Sequence, residues 1–83
     1  MDNLKNYTKM DQSEINQIIH KGGSRLTKLN SMVADYLNTL NLSQRARYVI
    51  SGTPINSMAE AFAGMRSEEE IEEYIAREYP EWD

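Results

Sequence analysis

Apolar residues recur along this chain at three- and four-residue spacing and nowhere alternate with polar ones as in a strand, which predicts an all-α fold. The clearest start lies at residues 10–15, where Asp11 is a good N-cap and Glu14 completes a capping box. Met10 and Ile15 form a hydrophobic staple around it. Ile15, Ile18 and Ile19 then share a face until Gly22 and Gly23. Leu26, Leu29, Val33, Leu37 and Leu40 follow, with Met32 and Tyr36 alongside, as a long amphipathic helix that Ser24 is placed to cap. The glycine pair either separates these two helices or lies within a single one; the pattern leaves both open.

Residues 41–43 read as a turn into a short segment, 44–50, which residues 51–54 break. Thr53 is placed to cap the next helix and Pro54 to open it, with Ile55, Met58, Ala59, Phe62 and Met65 on its apolar face. Ser67 and Glu70 form a second capping box, and Ile71, Tyr74 and Ile75 line a last helix that ends before Pro80. The expected architecture is a small bundle of four to five helices around a central helical hairpin.

Eighty-three residues suit one domain, 1–83, with an acidic C-terminal helix over 67–83. A chain of this length buries only roughly 60–65% of its unfolded surface. With no cysteine to staple it, a homo-oligomer is the expected source of further stability. No stretch approaches the ~20 apolar residues of a membrane span, and residues 1–10 lack the apolar core of a secretory signal. The net charge of −4 conceals an asymmetry. Residues 1–66 hold eight Lys or Arg against five acids, a charge of +3; residues 67–83 hold one Arg against eight acids, a charge of −7. A basic body suits an anion, and an acidic end suits a basic partner.

Catalysis finds few candidates. His20 is the only histidine, so a nucleophile–base pair has one possible base, and no His or Cys set has metal-ligand spacing. The acids from Glu68 to Glu73 point in successive directions around a helix and read as a solvated face near its N-terminus. The expectation is a binding protein without enzyme activity, cofactor or metal. Arg45, Arg47 and the break at 51–54 faintly suggest a helix-turn-helix. Its second helix would carry no Lys or Arg before residue 66, which argues against duplex DNA.

Concentrated chemistry occurs at residues 20–28, where Lys21, Arg25 and Lys28 flank Gly22, Gly23, Ser24 and Thr27. Glycines let a ligand reach the main chain, and a helix N-terminus favours anions, so this segment suits a phosphate. It equally suits a glycine C-cap followed by an exposed basic turn. Tyr7 is placed either to stack on a base or to cover the end of the core.

The run through Tyr7, Met10, Ile15, Lys21, Gly23, Leu26 and Leu29 resembles the phage-encoded cyclic-nucleotide sponges that counter CBASS immunity. These share a helical-hairpin domain with anti-Thoeris sponges. The resemblance covers residues 7–33 and centres on Gly23-x-x-Leu26-x-x-Leu29. It implies an oligomer in the cytoplasm of an infected bacterial host that sequesters a cyclic di- or trinucleotide at a subunit interface. It further implies base stacking on Tyr7, a phosphate contact from Lys21, and main-chain and hydroxyl contacts from Gly22, Gly23 and Thr27; the segment's own chemistry adds Ser24 and Arg25 to the expected ligand contacts. A later arginine of the family corresponds to Arg45, Arg47 or Arg66, and the break at 51–54 departs from the family's long second helix. A different reading places the function in the C-terminal helix, where Glu72, Glu73, Tyr79 and Trp82 would bind and block a basic host protein.

Overall fold

The structure, a computed structural model, describes residues 2–62, 64 and 67–80, with side chains from Asn6 onward. Met65, Arg66 and Trp82 lie outside the described residues. Six α-helices follow one another with no strand among the described residues: α1 (Asp2–Lys9), α2 (Gln12–Lys21), α3 (Gly23–Asn38), α4 (Gln44–Ser51), α5 (Met58–Phe62) and α6 (Glu68–Glu78). A 3-10 turn over Ile55–Ser57 leads into α5.

Local signals account for most of the boundaries. Asp11 caps α2 by accepting a 2.9 Å hydrogen bond from the Glu14 amide. Ser67 caps α6 by accepting from the Glu70 amide at 3.2 Å while its hydroxyl donates to the Glu70 carboxylate. Gly22 adopts φ 70°, ψ −153°, a region essentially closed to side chains with a Cβ, so α2 and α3 are separate helices joined at one residue. Its amide donates to the Ile18 carbonyl at 2.9 Å, closing α2. α3 begins directly at Gly23 with no side-chain cap, so Ser24 does not serve as one.

Two expectations at residues 53–62 are corrected. The Thr53 hydroxyl donates backwards to the Val49 carbonyl, extending the end of α4 and not capping the next helix. Pro54, at ψ 145°, is extended, so the chain enters a 3-10 turn first and α5 starts only at Met58. The N-terminal helix α1 was not expected, because its sequence is almost wholly polar; it is held by Tyr7, which is fully buried.

All six helices feed one core. Tyr7, Ile15, Ile18, Ala46, Val49, Met58, Phe62, Ile71 and Ile75 surround the α3 stripe of Leu29, Met32, Val33 and Leu37. α3 is the centre: α1, α2, the 3-10 turn and α5 all pack on it, while α4 pairs with α6. The Cα radius of gyration, 12.4 Å, is close to the ~12 Å of a compact chain of this length. No helix among the described residues is long and apolar enough to cross a membrane.

Two polar side chains lock this core. Asn30 on α3 is only 5% exposed; its carbonyl accepts from the Ala59 amide at 2.7 Å and its amide donates to the Asn56 carbonyl at 3.2 Å. The Tyr7 hydroxyl donates to the Phe62 carbonyl at 3.0 Å and accepts from the Gly64 amide at 3.2 Å. A Cβ at Gly64 would run into the Gln12 side chain, so glycine also permits the close approach of this connection to α2.

The acidic helix performs a structural task as well. Glu72 accepts from both the amide and the hydroxyl of Ser43, at 2.6 and 2.7 Å, and Glu68 accepts from the Asn41 amide at 2.8 Å. Ser43 in turn caps α4 through the Ala46 amide. Glu72→Ala is therefore expected to lower stability by about 1–2 kcal/mol, because two charge-assisted bonds at a partly exposed cap are lost together. Urea unfolding should show a lower midpoint with an unchanged slope. In a cycle with Ser43→Ala the two losses should not add, since both act on one cap.

Candidate functional site

The break at Gly22 turns the end of α2 and the start of α3 into one basic corner. Lys21 from the last turn of α2 and Arg25 from the first turn of α3 line the same small cleft, with Glu14, Gln17, Ile18 and Gly22. Its volume is ≈ 70 Å³. That is room for a few waters or for one small anion such as a phosphate. Arg25 also reaches into a larger adjoining groove of ≈ 280 Å³ between α1, α2 and α3. Met10, Ile18, Leu29 and Met32 make its apolar part, and Asn6, Glu14, Arg25 and Lys28 its polar part.

The charges on this surface are held apart. Among the described residues no hydrogen bond or ion pair engages the side chain of Lys21, Arg25 or Lys28, nor the Glu14 carboxylate, although Glu14 and Arg25 face both clefts. The Glu14 side chain does not return to the Asp11 amide as a full capping box would have it; only the Glu14 amide is used. Three cations against one acid leave the corner positive, next to the N-terminus of α3, where the helix dipole adds to the attraction for an anion.

Compared with known proteins, the chain matches no family model, no curated protein and no solved structure.

The structure brings together some of the expected ligand contacts and separates others. Lys21, Gly22 and Arg25 share the small cleft. Gly23, Ser24 and Thr27 are exposed but line neither cleft, and the Thr27 hydroxyl donates to the Gly23 carbonyl at 3.3 Å. The Gly22 amide is already used within α2. Tyr7 is corrected outright: at 0% exposure, its ring 5.6 Å from that of Tyr36, it offers no face to a base. Lys28, the third cation of the basic segment, lines the larger groove with Arg25, and Glu14 and Asn6, which were not expected contacts, complete that surface. Positions 14, 18, 21 and 25 carry a helical spacing straight across the glycine joint, and that was the available signal.

The acidic alternative also loses a member. Glu72 is engaged by Ser43, as described, which removes it from a partner-binding set. Glu73 is exposed and Tyr79 is 44% exposed, while Trp82 lies outside the described residues. Tyr74 packs edge-on against Phe62, with the Arg77 guanidinium 5.8 Å from its ring centre. Burial, with the charges of Tyr79 and Glu78 adding, holds the Tyr74 phenol above its ordinary pKa, against a smaller opposing pull from Arg77. His20 is exposed on α2, and no group of three His, Cys, Asp or Glu able to hold a metal occurs among the described residues.

Proposed function

We propose that the protein binds, without cleaving, a phosphate-linked cyclic oligonucleotide at the basic corner of α2 and α3, sequestering it as the anti-defence sponges it resembles do. One observation carries this reading: Lys21 and Arg25 open onto one phosphate-sized cleft while ion-pairing with nothing among the described residues. Unpaired cations beside a helix N-terminus are a ready receptor for a phosphodiester. The adjoining ≈ 280 Å³ groove falls just below the ~300–1,000 Å³ of pockets that engulf a drug-sized ligand. It has room for one nucleotide unit and not for a ring of two or three. A cyclic ligand is therefore shared between copies, and the working form in this reading is a homo-oligomer.

Calorimetry with a panel of cyclic di- and trinucleotides tests the proposal. At least one member should bind, and Lys21→Ala and Arg25→Ala should each weaken it about tenfold to a hundredfold, as loss of a charge-assisted hydrogen bond requires. Both variants change exposed side chains, so thermal unfolding should be nearly unaltered. Absence of binding by every member at high micromolar concentration ends this reading. A reading in which the exposed Glu73 and Tyr79 dock a basic host protein would then take its place. It cannot be probed by deleting residues 67–83, because that would strip Ile71 and Ile75 from the core.

A further inference from the structure

Two neighbouring helices carry opposite charges that the fold itself does not use. On α4, the Arg47 Nε donates to the Leu42 carbonyl at 3.2 Å, which fixes the plane of the guanidinium. Among the described residues its two terminal nitrogens engage nothing, and they are the pair that takes a carboxylate bidentately. On α6, Glu68 and Glu72 hold the turn before α4, Glu70 meets the Ser67 cap and Glu78 pairs with Arg77. Glu69 and Glu73 are left over. Both are exposed, four residues apart on one face, and neither has a hydrogen bond or ion pair among the described residues.

Apolar surface accompanies Arg47. The residue stands on the rim of a ≈ 240 Å³ groove between the end of α3 and α4. Leu37 and Leu42 in its floor belong to the core, but Leu40 and Ile50 are only partly buried. Tyr48, next in the chain, is 63% exposed, more than any other large apolar side chain among the described residues. Gln44, Arg47, Tyr48 and Ser51 thus form an outer face of α4 at helical spacing, cationic and partly apolar.

We infer that this α4 face is an interface and that it receives the α6 face of a second copy, Arg47 of each meeting Glu73 of the other. Charge complementarity selects the occupant: α4 has two arginines and no acid, whereas α6 has six acids and one arginine. The two helices pack on each other, so the surfaces adjoin. A two-fold axis between them sets each surface against its complement and makes the contact twice. A foreign acidic protein would use Arg47 and Tyr48 but leave Glu69 and Glu73 facing water. The pair of helices is about 16 Å long and about 20 Å across, which gives less than the ~800 Å² a side of standard complexes. The dimer is therefore weak, dissociating in the micromolar range. It needs no ligand and none of the basic corner, so it stands or falls separately from the phosphodiester reading, to which it supplies the second copy.

Sedimentation equilibrium of the full chain without ligand is the test, on the wild type, Arg47→Glu, Glu73→Arg and an equimolar mixture of the two variants. The wild type should dimerise, about tenfold or more weakly when salt rises from about 0.05 to 0.5 M. Each variant alone sets like charges together at both contacts and should dimerise at least about a hundredfold more weakly. In the mixture both contacts again join opposite charges, and a heterodimer of near wild-type affinity should form. Urea midpoints close to the wild type's will show that the variants are folded, and the salt series needs no variant. A wild type still monomeric at about 1 mM overturns the inference. A dimer that is indifferent to salt, or that both variants retain, overturns it too, by placing the contact elsewhere. So do folded monomeric variants that fail to combine when mixed.

Discussion

Replacing Asn30 with leucine is expected to lower the melting temperature by roughly 10–20 °C, the loss of about 2–3 kcal/mol in a domain of this size. The side chain fills a buried position on α3 and serves two backbone groups 26 and 29 residues away. Ala59 is the more demanding of the two. Its amide lies in the first turn of α5, where no earlier carbonyl of the helix is available, and the residue is 0% exposed. Without Asn30 that donor is left dry and unpaired. The Asn56 carbonyl, on an exposed residue, can turn to water at little cost. Leucine restores apolar contact but not the hydrogen bond, so the deficit follows the orphaned amide. Amide exchange provides the residue-level check: Ala59 should be protected in the wild type, against the habit of first-turn amides, and should exchange rapidly in the variant.

Tyr7→Ala should be more damaging still, at about 3–5 kcal/mol, because it empties a fully buried aromatic site as well as freeing two backbone groups. Small domains have roughly 0.05–0.15 kcal/mol of stability per residue, so a loss of this size approaches the whole for 83 residues. Tyr7→Phe separates the two contributions. It keeps the ring against Tyr36 and removes only the hydroxyl between the Phe62 carbonyl and the Gly64 amide, for about 1–3 kcal/mol. Chemical denaturation of the three proteins should rank them wild type, Tyr7→Phe, Tyr7→Ala. Neither substitution should alter ligand affinity in the fraction that remains folded, because Tyr7 faces the core.

Features written locally were legible in the sequence. Asp11 and Ser67 are followed three residues later by a glutamate, and each starts a helix where that spacing says one starts. The apolar rows of α2, α3 and α6 are long enough for their period to be unmistakable. Signals that depend on distant partners were not legible. α1 has too few apolar residues to announce itself; it is helical because Tyr7 finds Phe62 and Gly64, more than fifty residues on. Thr53 could serve either neighbour, and only the packed chain directs its hydroxyl back to Val49. Asn30 has no motif at all: an asparagine in a helix face is unremarkable until the segment it caps is folded against it.

The candidate site divides in the same way. Lys21 and Arg25 were visible because the glycine joint between them is a sequence feature. Tyr7 and Glu72 were drawn into candidate sites because an aromatic ring and a carboxylate carry the same letters whether they face solvent or hold the fold together.

The tie between Tyr7 and the segment beyond α5 bears on how the chain is made. On the ribosome Tyr7 emerges 55 residues ahead of Phe62, so over that stretch of synthesis its phenol lacks the backbone carbonyl that receives it. The N-terminal helix must wait, provisionally docked on α3 or loose, until the later residues arrive. Docking of α1 is completed only with the segment beyond α5, and products that stop before residue 62 carry a Tyr7 hydroxyl without its native partners, a mark that quality-control proteases can recognise.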